Sequence, residues 1–160
     1  MSVTLRDTCP EDQAFLLAVF ATTRAQEMAL VPWTEEQREA FIKMQFDAQD
    51  SFYHEQYPAA SYQLIVDNGE RVGRLYVHRT EEEIDILDIT VLPPNRNAGL
   101  GTSLIRELLV EGAQTGKSVR IWVEHFNPSL SLFERLGFSR IQEDGFNYLL
   151  EYKSASATSE

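Results

Sequence analysis

The chain has 160 residues, 43% of them hydrophobic, with 14 basic against 25 acidic side chains and a formal net charge of −11. That apolar content excludes a disordered chain, no apolar run approaches the ~20 residues of a membrane span, and the acidic balance argues against general nucleic-acid binding, which needs a basic surface for phosphate. Cys9 is the only cysteine, so no intramolecular disulfide can form, and with no basic-then-apolar leader the expected setting is the reducing cytoplasm.

The elements follow in chain order. Residues 3–6 read as a short strand. Thr8 is placed to cap a helix, with Pro10 in its first turn and Glu11 and Asp12 near its positive end. Phe15, Leu16, Val19 and Phe20 give this helix its inner face as far as about Met28. Residues 30–33 interrupt it, and Thr34 with Gln37 forms a capping box for a second helix. Its apolar stripe is expected to be Ala40, Phe41, Met44 and Phe46, and it should end before Pro58. Strand-like runs follow at 62–66 and 71–78, joined through Asp67-Asn68-Gly69, a sequence suited to a tight hairpin turn. Residues 84–92 form a strand apolar on both faces, hence central in its sheet, and Pro93 and Pro94 stop it. A loop over 95–101 leads into a helix over 102–114, and a strand over 119–123 follows. A short helix opened by Pro128 carries Leu132, Phe133 and Leu136, and Gly137 ends it. Two last strands flank Asp144-Gly145. The predicted fold is α/β, a mixed and mostly antiparallel sheet with helices on both faces, in the order β-α-α-β-β-β-α-β-α-β-β. Residues 1–153 are read as one domain and 154–160 as a disordered polar tail.

The segment from Ile89 to Thr102 holds most of the functional information. A central strand runs into a glycine-containing loop that opens a helix, and the first amides of that helix have no intrahelical partner. Gly99 and Gly101 let backbone approach a ligand closely, which makes a pyrophosphate cradle to which Arg96 can add a charge-assisted contact. A dinucleotide fingerprint lacks its third small residue, and the Gly-Lys-Ser/Thr of a P-loop is absent. The bland alternative is an ordinary tight turn between strand and helix.

Arg96-x-x-Gly99-x-Gly101 after Val91-Leu92-Pro93, with Asn127-Pro128 and Leu132-Phe133-Glu134-Arg135-Leu136-Gly137-Phe138 downstream, resembles the GNAT (GCN5-related N-acetyltransferase) family over nearly the whole chain. The resemblance implies that acetyl-CoA is the acyl donor. Backbone at Val91 and Leu92 would meet the pantetheine arm. Asn97, Ala98, Gly99, Leu100, Gly101 and Thr102 would hold the pyrophosphate with Arg96. Asn127 would lie near the thiol, helix capping being its structural alternative. Phe133 stands where the family usually has a tyrosine thought to protonate the departing thiolate, and Ser129, Ser131 and Tyr148 are candidate hydroxyls in its stead.

An acceptor amine arrives mostly protonated and must lose a proton before attack. Asp85 is the first candidate base, at an offset from Arg96 like that of the base glutamate in histone-acetyltransferase relatives; Glu124 is the second. Polarisation of the thioester carbonyl is expected from the Val91 amide. Glu27 and Trp33, at the junction of the first two helices, are candidate acceptor contacts. The histidines show no metal-ligand spacing, and no metal is expected. The function read here is transfer of acetyl from acetyl-CoA to a primary amine, a small molecule or a peptide, by direct attack in a ternary complex. The alternative is a non-catalytic CoA-binding sensor. No nucleic-acid or membrane partner is expected, and homodimerisation is left open.

Overall fold

The computed structural model describes residues 3–154. The polar tail expected from residue 154 onward lies, Ser154 apart, outside the described residues. The elements are β1 (Val3–Asp7), a 3-10 turn (Pro10–Asp12), α1 (Gln13–Ala29), α2 (Glu35–Gln56), β2 (Ser61–Asp67), β3 (Glu70–Arg79), β4 (Glu83–Val91), a second 3-10 turn (Pro93–Asn95), α3 (Leu100–Thr115), β5 (Ser118–Glu124), α4 (Ser129–Arg135), β6 (Ser139–Glu143) and β7 (Asn147–Tyr152). The strands form one seven-stranded sheet in the order β1-β2-β3-β4-β5-β7-β6. β4 and β5 pair in parallel, whereas β1–β2, β5–β7 and β6–β7 pair antiparallel. The predicted order of strands and helices is met element for element, and β4 is central as its two apolar faces require.

The chain divides into two compact units, one of Met1–Leu75 with Ile89–Leu100, the other of Tyr76–Asp88 with Gly101–Glu160. In the first, Leu16 and Phe20 of α1 pack with Phe46 of α2 and Leu64 of β2, the two phenylalanine rings meeting edge to face at 5.9 Å. Thr34 caps α2 as predicted: its Oγ1 accepts from the Gln37 amide at 3.1 Å, and the Gln37 side chain accepts from the Thr34 amide at 2.9 Å. Of the expected stripe, Phe46 is buried and Phe41 half-buried, whereas Ala40 and Met44 are exposed, Met44 by 58%. The inward positions run instead through Arg38, Ile42, Gln45, Phe46 and Gln49, a stripe of helical period that leaves Met44 out of phase.

The start of α1 also differs from the sequence reading. The Thr8 amide donates to the Tyr62 carbonyl and continues the β1–β2 pairing, so Thr8 is not the cap. Cys9 heads the 3-10 turn that leads into α1, and Asp12 closes a capping box with it. Its carboxylate accepts from the Cys9 amide at 2.9 Å and is gripped by Arg6 and Arg71, each at 3.1 Å. The Asp12 side chain is only 3% exposed, and hydrogen bonding from Arg6 holds it far below the usual carboxylate range.

In the second unit, α3 packs tightly on β5. A Cβ added at Gly112 would stand 2.8 Å from the Lys117 carbonyl oxygen and 3.1 Å from Val119. Ile84, Ile86, Val119, Ile121 and Val123 are buried together with Leu104, Ile105 and Leu108. Ile84 and Ile86 stand opposite Val119 and Ile121, so this apolar set shares one sheet face, and Asp85, Arg120, Trp122 and Glu124 share the other.

Candidate functional site

The loop after β4 is shaped by its backbone. Pro93–Asn95 forms a tight 3-10 turn in which the Asn95 and Arg96 amides donate to the Leu92 and Pro93 carbonyls. The chain then passes through two left-handed residues, Asn97 (φ 67°) and Gly99 (φ 80°). Asparagine and glycine are the residues that adopt this conformation most readily. Leu100, 5% exposed, anchors the start of α3. The amides of its opening residues have no intrahelical acceptor. A Cβ at Gly99 or Gly101 would meet nothing within 4 Å. The loop therefore presents a helix start with open space at both glycines, which fits a diphosphate.

Two backbone groups expected to serve a ligand are engaged in the fold. The Leu92 amide donates to the Val72 carbonyl at 2.8 Å, and the Val91 carbonyl accepts from Arg96 Nε at 2.7 Å. Neighbouring β3 lies close against the last residues of β4. A Cβ at Gly73 would overlap the Thr90 carbonyl oxygen and stand 3.0 Å from Val91 Cα, so only glycine lets the two backbones pass this closely. Sequence reasoning overlooked Gly73, although a glycine inside a strand is a signal of close backbone approach.

Asp85 stands directly across the parallel pair from Arg120. It does not form an ion pair with it: Arg120 reaches Glu83 at 3.5 Å and Glu151 at 2.8 Å. Burial, together with a hydrogen bond and repulsion from Glu83, pushes the Asp85 carboxyl up to about 7, against a smaller opposing attraction from Arg120. Glu83, Arg120 and Glu151 were not foreseen as its environment. Glu83 lies two residues from Asp85 on the same face, but Glu151 comes alongside only through the β5–β7 pairing, where it stands opposite Arg120.

Glu124 is exposed at the end of β5, opposite Asn147. Asn127 is a helix cap here: its Oδ1 accepts from the Ser129 amide at 2.9 Å and from the Ser129 hydroxyl at 2.8 Å. Phe133 is 2% exposed and packs edge to face on Phe138 at 5.3 Å; it is a core residue of this unit. Tyr148 stacks on His125 at 4.0 Å and lies under the Arg140 guanidinium. In the first unit, Trp33 packs edge to face on Phe41 at 5.2 Å, and Glu27 lies 3.9 Å from Arg24. Among the described residues no group of three or more His, Cys, Asp or Glu side chains is arranged to hold a metal ion. No described helix is long and apolar enough to cross a membrane.

Comparison with known proteins follows the same lines. The family described as "Acetyltransferase (GNAT) family" matches residues 24–138. No curated protein matches the chain. Among solved structures, the PaiA N-acetyltransferase of Thermoplasma acidophilum in complex with coenzyme A is 17% identical, with a TM-score of 0.72, covering 96% of this chain and 100% of its own. Arabidopsis thaliana Naa50 in complex with the bisubstrate analogue CoA-Ac-MVNAL is 16% identical, with a TM-score of 0.65 and the same coverage of 96% and 100%. A GNAT acetyltransferase of Elizabethkingia anophelis with acetyl-CoA bound is 16% identical, with a TM-score of 0.60 and coverage of 96% and 99%. At these identities the likeness is one of fold, and with the family match spanning most of its length, the chain belongs to the GNAT acetyltransferase family.

Proposed function

We propose that the protein transfers an acetyl group from acetyl-CoA to a primary amine by direct attack within a ternary complex. The observation that carries this reading is the loop after β4, with left-handed Asn97 and Gly99, open space at Gly99 and Gly101, and the start of α3. Converging backbone N–H donors at a helix start suit a pyrophosphate. Asn97, Ala98, Gly99, Leu100, Gly101 and Thr102 would hold it by their backbone. Arg96 would exchange its bond to the Val91 carbonyl for phosphate oxygen, which frees that carbonyl for the pantetheine arm.

In the reaction the amine nitrogen bonds to the thioester carbon, the C–S bond breaks, and the CoA thiolate leaves. The ammonium proton lost before attack passes to a carboxylate. A thiol is an adequate leaving group near neutral pH without a dedicated acid, so the buried Phe133 does not favour the sensor reading. Asp85 suits the base role by its protonation behaviour, since a base works best near the operating pH. Its position constrains the substrate. Asp85 is six residues upstream of Val91 on one strand, about 20 Å. A carbonyl polarised by the Val91 amide and a proton taken by Asp85 are therefore incompatible. The Ile89 amide faces the same edge of β4 by period two and still lies about 13 Å from Asp85, so Asp85 would serve as base only through a relay of several waters. Glu124, three residues beyond Ile121 on β5, is the alternative base nearer the strand ends.

The test is free-thiol release from acetyl-CoA across a panel of amines, with calorimetry on CoA. Gly99→Asp would put a carboxylate into the cradle and should abolish CoA binding in a folded protein; unchanged affinity would refute the cradle. For a responsive amine, Asp85→Asn should lower turnover at neutral pH by roughly 10²-fold, with part recovered at high pH. A profile unchanged by Asp85→Asn but lost in Glu124→Gln would move the base to Glu124.

A further inference from the structure

Three carboxylates and one guanidinium line up across three strands of the second unit: Glu83 and Asp85 on β4, Arg120 on β5, and Glu151 on β7. Strand register places Arg120 directly between Asp85 and Glu151. Left to electrostatics alone, its guanidinium could pair with either neighbour. It pairs with Glu151, Nε to Oε2 at 2.8 Å, and reaches Glu83 at 3.5 Å through its other arm. The Glu151 side chain is 10% exposed against 32% for Arg120, so the better shielded bond is the one directed away from Asp85. Lys153 also approaches Glu151, at 3.8 Å, on a side chain that is 55% exposed. Both Arg120 contacts thus go to carboxylates other than Asp85.

We propose that Glu151 is a positioning residue for Asp85: by engaging Arg120 from the far side, it withholds the guanidinium from the Asp85 carboxyl and leaves that carboxyl free to take up a proton. This rests on the reading of Asp85 as the base for its catalytic consequence, and on the geometry alone for its electrostatic one. An Asp85–Arg120 ion pair would stabilise the charged carboxylate and make it a weak base at neutral pH. Engaging Arg120 elsewhere lets burial and Glu83 dominate instead, in keeping with the raised protonation range of Asp85.

The test is a carboxyl NMR titration of Asp85 in the full chain, with Glu151→Gln, Arg120→Met and the double variant. Glu151→Gln keeps the shape and removes the charge that holds Arg120. The Asp85 midpoint should fall by about one pH unit or more. In the Arg120→Met background the same substitution should move it by much less, because the effect acts through the guanidinium. An unmoved midpoint in Glu151→Gln would overturn the proposal, as would an equal fall with and without Arg120. The acid limb of kcat/KM, measured on the same variants, separates the two readings. A limb that moves with the Asp85 midpoint supports both. A midpoint that falls while the limb stays still supports the positioning by Glu151 and removes Asp85 as the base.

Discussion

At Asp85, burial and the adjoining Glu83 outweigh the attraction of Arg120, and the carboxyl is pushed up to about 7. The consequence for stability has a definite sign. An unfolded aspartate ionises near pH ~3.9, so between about pH 4 and 7 the folded chain keeps a proton that the unfolded chain has lost. Stability from this group is therefore greatest below pH 4 and declines as pH rises through the window. Asp85→Asn should match the wild type near pH 4 and exceed it in Tm near pH 8, measured by calorimetry across that range; a variant less stable at pH 8 would show that the ionised carboxylate is favoured in the fold. Phe133 makes a second case at this scale. It packs in the interior on Phe138, where an unpartnered hydroxyl costs about 1–3 kcal/mol. Phe133→Tyr should thus lower Tm with no gain in turnover. A rise in acetyl transfer on that substitution would mean that the ring reaches the reacting atoms.

Two elements are held by single residues at their ends. The end of β4 depends on Gly73 of β3, where any Cβ meets the Thr90 and Val91 backbone. Gly73→Ala should destabilise the protein by about 1–3 kcal/mol, the usual cost of overpacking. It should also weaken CoA binding, because the displaced backbone is the one that leads into the cradle. Calorimetry with CoA on the folded fraction checks this, and full affinity in Gly73→Ala would separate the strand end from the cradle. The start of α1 depends on Asp12, which ties Arg6, Cys9 and Arg71 to one buried carboxylate. Asp12→Ala should cost on the order of 2 kcal/mol, the scale of a charged hydrogen bond lost from a buried group. Because the Asp12 carboxyl is held far below its ordinary range, its contribution is complete above the unfolded pKa and is lost only as pH falls well below it.

For the whole molecule the dominant property is the net charge of −11. On the proposed reading, an acidic surface would draw a protonated amine towards it and repel the phosphates of CoA, which would leave donor binding to short-range contacts in the loop after β4. Raising salt from about 20 to 300 mM should therefore lower kcat/KM for a cationic acceptor severalfold, while CoA affinity holds or improves as the repulsion is screened. Steady-state kinetics in each substrate at the two ionic strengths checks both. A kcat/KM for the amine that is indifferent to salt would assign the acidity to solubility alone.

The order of elements, the central place of β4 and the Thr34 cap were legible because each depends on residues close together in the chain: a period of two or of 3.6, a turn dipeptide, a side chain three positions from its partner. The backbone shape of the loop after β4 was legible for the same reason, since Asn97, Gly99 and the start of α3 form one continuous segment. Asp85 stood out as a carboxylate on a central strand, but its protonation behaviour did not. That comes from burial and from Glu83, against the weaker pull of Arg120, which is 35 residues away in sequence and brought alongside by β5 pairing in parallel with β4. Phe133 read as a missing acid in the linear motif and proves to be packing on Phe138. Local sequence determined which segments form strands, helices and the glycine-containing loop after β4, because short-range backbone preferences suffice for that. Only the tertiary structure decided which charges share a sheet face and which rings are sealed from water, because strand pairing sets those distances and burial sets their energies.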